Sequence, residues 1–171
     1  LSCPPGLAPV TFSSDAQKAI TGRKHKTPSF YLDVDLIGKY WGGQKRVYHH
    51  TAPINLLYGL YQALILVMEE GMDRVFARHR TVHERLVGGL EQLGLELLVE
   101  KPFRLPMLNA VKIPQGVEDA AVRSALRSKH KIEIGAGLGP LAGKIWRIGL
   151  LGHTAREENV ERLLAALRDV L

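Results

Sequence analysis

The chain has 171 residues, of which 46% are hydrophobic and 23% charged, with a formal net charge of +6 and a single cysteine. That composition excludes a disordered chain, and the length suits one domain with a real core or a piece of a larger protein. One cysteine, Cys3, excludes an internal disulfide framework and a cysteine-based zinc site.

Cysteine usage points to an intracellular compartment, with peroxisome, mitochondrion and cytoplasm all open. The longest apolar run, residues 54–68, is interrupted by Asn55, Tyr58, Gly59 and Gln62, so a buried helix is expected and no membrane span. The densest basic cluster is Arg23, Lys24, His25 and Lys26. It lacks interleaved aromatics and lies between Gly22 and Pro28, which favours a solvated loop over a nucleic-acid surface.

In chain order, LAPVTFS (residues 7–13) is rich in β-formers and predicts a strand after a Pro-Pro-Gly turn. Ser14 and Asp15 would cap a short helix ended by Gly22. A further short helix is expected around residues 32–40, stopped by Trp41, Gly42 and Gly43. Pro53 opens a long helix with Leu56, Leu57, Leu60, Leu64, Val67 and Met68 on one face, closed by Gly71. A second long helix follows, with Val75, Phe76, Val82, Leu86, Leu90 and Leu93 apolar and a basic outer face. LELLVE and LNAVKIP predict strands, VEDAAVRSALRSKH an amphipathic helix, and KIEIGAG and KIWRIGLLG two more strands. The last helix starts at Thr154, which is spaced with Glu157 as a capping box. Such an order describes an α+β or α/β small domain.

Between the last two strands lies IGAGLGPLAGK, residues 134–144. A Walker loop ending at Gly143-Lys144 would need glycine at Leu138 and a hydroxyl at Ile145. The dinucleotide fingerprint fails as well, because Pro140 takes its third glycine position and a strand follows. A tight connection between strands is the better reading.

Arg147 interrupts the apolar run that follows, and an arginine there is expensive to bury without a partner. It could form a structural ion pair, or face water from an edge strand. Spacing alone favours those structural readings over the alternative, in which it presents its planar fork to a carboxylate ligand. In RVYHHTAP, residues 46–53, the hydroxyls of Tyr48 and Thr51 precede a helix start, a natural anion site. His49 and His50 should diverge on an extended chain, which makes a metal pair improbable and buried capping imidazoles the default. His79 and His83 stand four apart without the glutamate of a His-Glu-x-x-His motif, and belong to a basic helix face. No metal site is expected.

Together CPPGLAPVTFS, SFYLD, YWGG, YHHTAPINLLYGLYQAL, EEGM, RLP and IEIGAGLGPLAGKIWRIGLLG resemble one family over nearly the whole chain. They are similar to the C-terminal half of the alanine–glyoxylate (serine–pyruvate) aminotransferases, in the class-V branch of the fold-type-I pyridoxal-phosphate enzymes. Ala136, where the family usually has glycine, is a minor departure. The resemblance implies an α/β fold comprising the end of the large cofactor domain (residues 1–47), a linking helix with the YHHT segment (48–70) and a C-terminal α+β small domain (71–171).

It also implies residue roles. Arg147 would bind the substrate α-carboxylate, while Tyr48 and Thr51 would reach the phosphate of pyridoxal 5'-phosphate in the partner subunit of a homodimer. Gly135, Gly137 and Gly139 would carry the chain past the site without touching the cofactor. The Schiff-base lysine is expected just upstream of Leu1, so no residue of this chain is assigned as catalytic. The implied activity is transfer of an amino group from alanine or serine to glyoxylate or pyruvate. Alternatives are a serine–glyoxylate, 2-aminoethylphosphonate or kynurenine-type transaminase, or a non-catalytic dimerisation domain.

Overall fold

The computed structural model of the chain describes residues 1–41, 45 and 47–171. Gly42 and Gly43, expected to stop the second helix, and Arg46 lie outside the described residues. The chain divides into two compact units, Pro4–Gly59 and Leu60–Leu171 with Leu1–Cys3.

In the first unit the expected strand over residues 7–13 does not form. No other strand lies in this unit among the described residues, so a β-rich sequence has no ladder to join and stays irregular. Ser13 rather than Ser14 caps the first helix, accepting from the Ala16 amide at 3.2 Å. That helix, α1, spans Ser14–Thr21 and ends at Gly22. The basic cluster after it is exposed loop. Asp33 Oδ1 then accepts from the amides of Asp35 (3.0 Å) and Leu36 (3.2 Å), which starts α2, Val34–Trp41.

Helix α3, Ile54–Glu70, begins after Pro53 as expected and ends before Gly71. Its environment differs from expectation: Ala63 is its sole buried residue. Tyr58, Tyr61, Leu66 and Met68 are all more than half exposed. The helix is apolar around most of its circumference, so neighbours on one side leave much of that surface uncovered.

The second unit is a small α+β arrangement. Helix α4, Met72–Gln92, buries Val82, Leu86 and Leu90, while Phe76, predicted on the same stripe, is exposed. The strand expected over LELLVE shrinks to one bridge between Leu97 and Val111, with backbone bonds Leu98 N to Ala110 O and Lys112 N to Glu96 O. Strand β1 is Leu108–Lys112, α5 is Asp119–Ala125 with a π turn at Leu126–His130, β2 is Gly135–Ala136 and β3 is Ile145–Gly149. The sheet order is β1-β3-β2, antiparallel throughout, so β3 is central. Helix α6, Glu157–Val170, closes the unit with Arg156 at its N-cap position. Thr154 does not form the expected capping box. Its Oγ1 accepts from Leu151 N at 2.9 Å inside a 3-10 turn, Gly152–Thr154, and so cannot serve the α6 amides.

Trp146 and Ile148 of β3 meet Val111 of β1, Leu86 and Leu90 of α4, and Val160, Leu163 and Leu167 of α6 in one core. Each such side chain contributes roughly 1.5–3 kcal/mol on burial. Close approach of α4 and α6 depends on Gly89, where a Cβ would lie 2.2 Å from Leu164 Cδ1. Trp146 is fully buried, and its Nε1 donates to Asp119 Oδ1 at 3.0 Å. Asp119 also accepts from Arg123 Nε at 2.7 Å. Arg123, with help from Trp146, holds the Asp119 carboxyl below its ordinary range.

A carboxyl with a depressed folded pKa stabilises the fold above its unfolded pKa, and that stability is lost as pH falls through the folded value. Asp119→Asn should therefore lower stability at pH 7 by about 1–2 kcal/mol. Its loss of stability below the ordinary aspartate pKa of ~3.9 should also be shallower than in the parent, as read by urea midpoints across pH.

Candidate functional site

Arg147 is placed by strand alternation. Trp146 and Ile148 point into the core, so Arg147 takes the opposite face of β3, opposite Ala110 on β1 and Gly135 on β2. Among the described residues it is neither on an edge strand nor in an ion pair, which argues against both structural explanations for it. Its Nε donates to the Ala136 carbonyl at 2.7 Å. A Cβ on Gly135 would sit 3.4 Å from both Nε and Nη2, so the guanidinium lies across that glycine. Among the described residues neither terminal nitrogen has a hydrogen-bond or salt-bridge partner. The result is a half-buried planar fork tethered at its base and open at both tips.

The glycine loop explains the tether. Gly137 donates to Ile145 O at 3.0 Å, and the chain then turns through a short 3-10 segment, Gly139–Leu141. A Cβ on Gly137 would stand 1.9 Å from Leu141 O, a contact no side chain permits. Only glycine lets the loop close on itself just after the carbonyl that holds Arg147. The expected tight connection is what forms.

In the other unit Tyr48 and Thr51 come together, with Tyr48 Oη and Thr51 Oγ1 2.8 Å apart. Both side chains are exposed. Between them His49 is buried, stacked on Phe30 with ring centroids 4.3 Å apart. His49 and His50 do not diverge: their Nδ1 atoms are 2.8 Å apart, because Phe30 draws the His49 ring inward while His50 lies against Tyr31 and Tyr40.

His79 and His83 turn away from the basic face expected for them. His79 Nδ1 donates to Val75 O at 2.7 Å and its Nε2 accepts from Gly152 N at 3.0 Å. His83 Nδ1 lies 2.8 Å from Oδ1 of Asn109, a buried side chain on β1 that donates to Ile148 O. Arg78 binds both oxygens of Glu70, at 2.5 and 2.7 Å, and donates to the carbonyls of Gly152 and Ala155. Hydrogen bonding from Arg78 holds the Glu70 carboxyl below its ordinary range. These polar groups secure the chain just after β3. Nothing in the sequence marked Asn109, and only their four-residue spacing drew attention to the histidines.

Geometry and sequence lead to one class of protein. The family Aminotransferase class-V matches residues 1–163. Over its whole length the chain is 42% identical to 44% of the alanine–glyoxylate aminotransferase of Oryctolagus cuniculus. Among solved structures, an alanine–glyoxylate aminotransferase from Nostoc sp. superposes with a TM-score of 0.88 at 50% identity, over 94% of this chain and 42% of that one. A ureidoglycine–glyoxylate aminotransferase from Bacillus subtilis gives 0.93 at 39% identity, over 99% and 44%. The chain thus spans less than half the length of each relative. Its fold is that of the fold-type-I aminotransferases. Within them the chain belongs to the class-V aminotransferases, a family of pyridoxal-phosphate enzymes.

Gly137→Ala should destabilise the protein by more than about 2 kcal/mol, because backbone must move to admit the methyl. Gly143→Ala in the same loop, at φ +69 with open space around it, should cost about 1 kcal/mol. Thermal unfolding of the two variants side by side checks the difference.

Proposed function

We propose that the protein carrying this chain is a transaminase that moves an amino group from alanine or serine to glyoxylate or pyruvate. One observation carries this reading: on a chain of the class-V family, Arg147 presents a fork that, among the described residues, is anchored by Nε alone. A guanidinium held at one end and open at the other suits the two oxygens of an α-carboxylate. Amino and keto acids share that carboxylate, so one clamp serves both halves of a transamination. The relatives named above share glyoxylate in their names, which favours it as the acceptor.

The residues present also fit the phosphate end of the cofactor. Tyr48 and Thr51 offer two adjacent exposed hydroxyls just before the N-terminus of α3, and hydroxyl donors there suit an anion. In this reading they hold the phosphate of pyridoxal 5'-phosphate in the partner subunit of a homodimer. When bound, that group supplies an electron sink for bond breaking at the substrate Cα. Arg147 binds the acid and turns its Cα towards the reacting centre, converting an encounter into a fixed geometry. The rigid turn at Gly137 keeps the fork from following the ligand away.

Arg147→Ala in the intact protein should raise the KM for the amino acid at least about tenfold, with cofactor absorbance retained. Unchanged kinetics would refute the carboxylate role. Mixed dimers test the hydroxyl pair. A Thr51→Ala subunit paired with a lysine-dead subunit should give activity that depends on which subunit carries which lesion. Equal activity in both arrangements would count against action in trans. Initial rates with alanine, serine and ureidoglycine against glyoxylate identify the donor.

A further inference from the structure

The segment from Tyr48 to Thr51 is neither helix nor strand, and its two hydroxyl side chains are exposed, Tyr48 at 69%. Neither repetitive backbone bonding nor burial of those side chains fixes where their oxygens point. The residue next to Tyr48, by contrast, is buried and bonded. His49 is 6% exposed, its ring lies 16° from parallel with Phe30, and its Nε2 sits 2.9 Å from the Phe30 carbonyl.

A carbonyl only accepts, so His49 Nε2 carries the hydrogen. One proton must also lie between the two Nδ1 atoms 2.8 Å apart. A neutral His49, with its hydrogen on Nε2, accepts at Nδ1, and His50 then donates from its own Nδ1. In that arrangement the hydrogen bonds run in one direction, from His50 to His49 to Phe30 O. His50 is oriented by that bond, and Tyr40, itself buried, touches both the His50 ring (5.5 Å) and the Tyr48 ring (6.1 Å). The residues on either side of His49 are thus held by one connected set of rings.

We propose that His49 is the positioning residue of the Tyr48–Thr51 hydroxyl pair, holding it preorganised for a phosphate ester. The inference rests on the reading above that this pair binds the cofactor phosphate. Preorganisation matters here because two exposed side chains would otherwise lose rotamer freedom on binding, at about 0.5–1.5 kcal/mol each.

The test uses the intact apo-protein, titrated with pyridoxal 5'-phosphate and with pyridoxal, which lacks the phosphate. The ratio of the pyridoxal Kd to the pyridoxal 5'-phosphate Kd isolates recognition of the phosphate from recognition of the ring. His49→Phe preserves stacking on Phe30 and removes both ring nitrogens. It should reduce that ratio about tenfold with the pyridoxal Kd unchanged, and His49→Gln, which keeps a donor for Phe30 O, should recover part of the loss. An unchanged ratio, or Kd values that rise together, would overturn the proposal, because a merely structural role loosens both ligands alike. If His49→Phe does not fold, His50→Phe removes the other partner of the same bond and should lower the ratio; no change there overturns the proposal equally. Thr51→Ala separates the two ideas. A lowered ratio in Thr51→Ala beside an unchanged one in His49→Phe sinks the positioning role alone. An unchanged ratio in Thr51→Ala sinks the phosphate reading and this inference with it.

Discussion

The burial of Trp146 is the constraint on which the site unit depends. Strand β3 is paired on both edges, so it cannot slip by one residue without breaking two registers at once. Trp146 is fully enclosed and its Nε1 is satisfied by Asp119, which fixes which face of the strand is the core face. Every other residue must then point the opposite way. Arg147 is displayed because its neighbour is buried, and its own chemistry has no part in choosing the face.

A second layer of control comes from backbone geometry. The Ala136 carbonyl and the Gly137 turn hold Arg147 at Nε and leave the tips of its fork without a partner among the described residues. Downstream, Arg78 and His79 hold the carbonyls and amide of the turn after β3, with Glu70 neutralising the Arg78 charge. Ser2 joins them, donating to Leu151 O and accepting from His153 N. The strand bearing Arg147 is thus fixed at both ends by polar contacts that are satisfied, which suits a site whose ligand must meet a rigid fork. Charged groups here do structural work, which is why spacing alone misassigned His79 to a basic surface.

Sequence patterns succeeded where a local rule decides the outcome. Pro53 and Gly71 bracket α3, alternation gives β3, and residues 134–144 form the tight connection expected between strands. They failed where a partner decides. Residues 7–13 and the LELLVE segment have strand composition, yet a strand needs a neighbour to bond; among the described residues the first has no strand partner, while the second makes one bridge, Leu97 to Val111, with a backbone bond on either side of it. Thr154 has the spacing of a capping box, but its hydroxyl is taken by Leu151 before α6 begins. Phe30 gave no signal of its own, because stacking on His49 joins residues nineteen apart in the chain.

The sequence by itself determined the family, the helix breaks at Gly22 and Gly71 and the helix start after Pro53, and the presence of an arginine in an apolar strand and of hydroxyls before a helix. These follow from residue type and short-range spacing, which act through neighbours along the chain. Only the tertiary structure decided that Arg147, among the described residues, has an anchored base and open tips, that the Nδ1 atoms of His49 and His50 meet, and that α3 leaves much of its apolar surface uncovered. Each of those outcomes depends on atoms brought together from distant parts of the chain or on neighbours that fail to arrive, and neither is encoded in local periodicity.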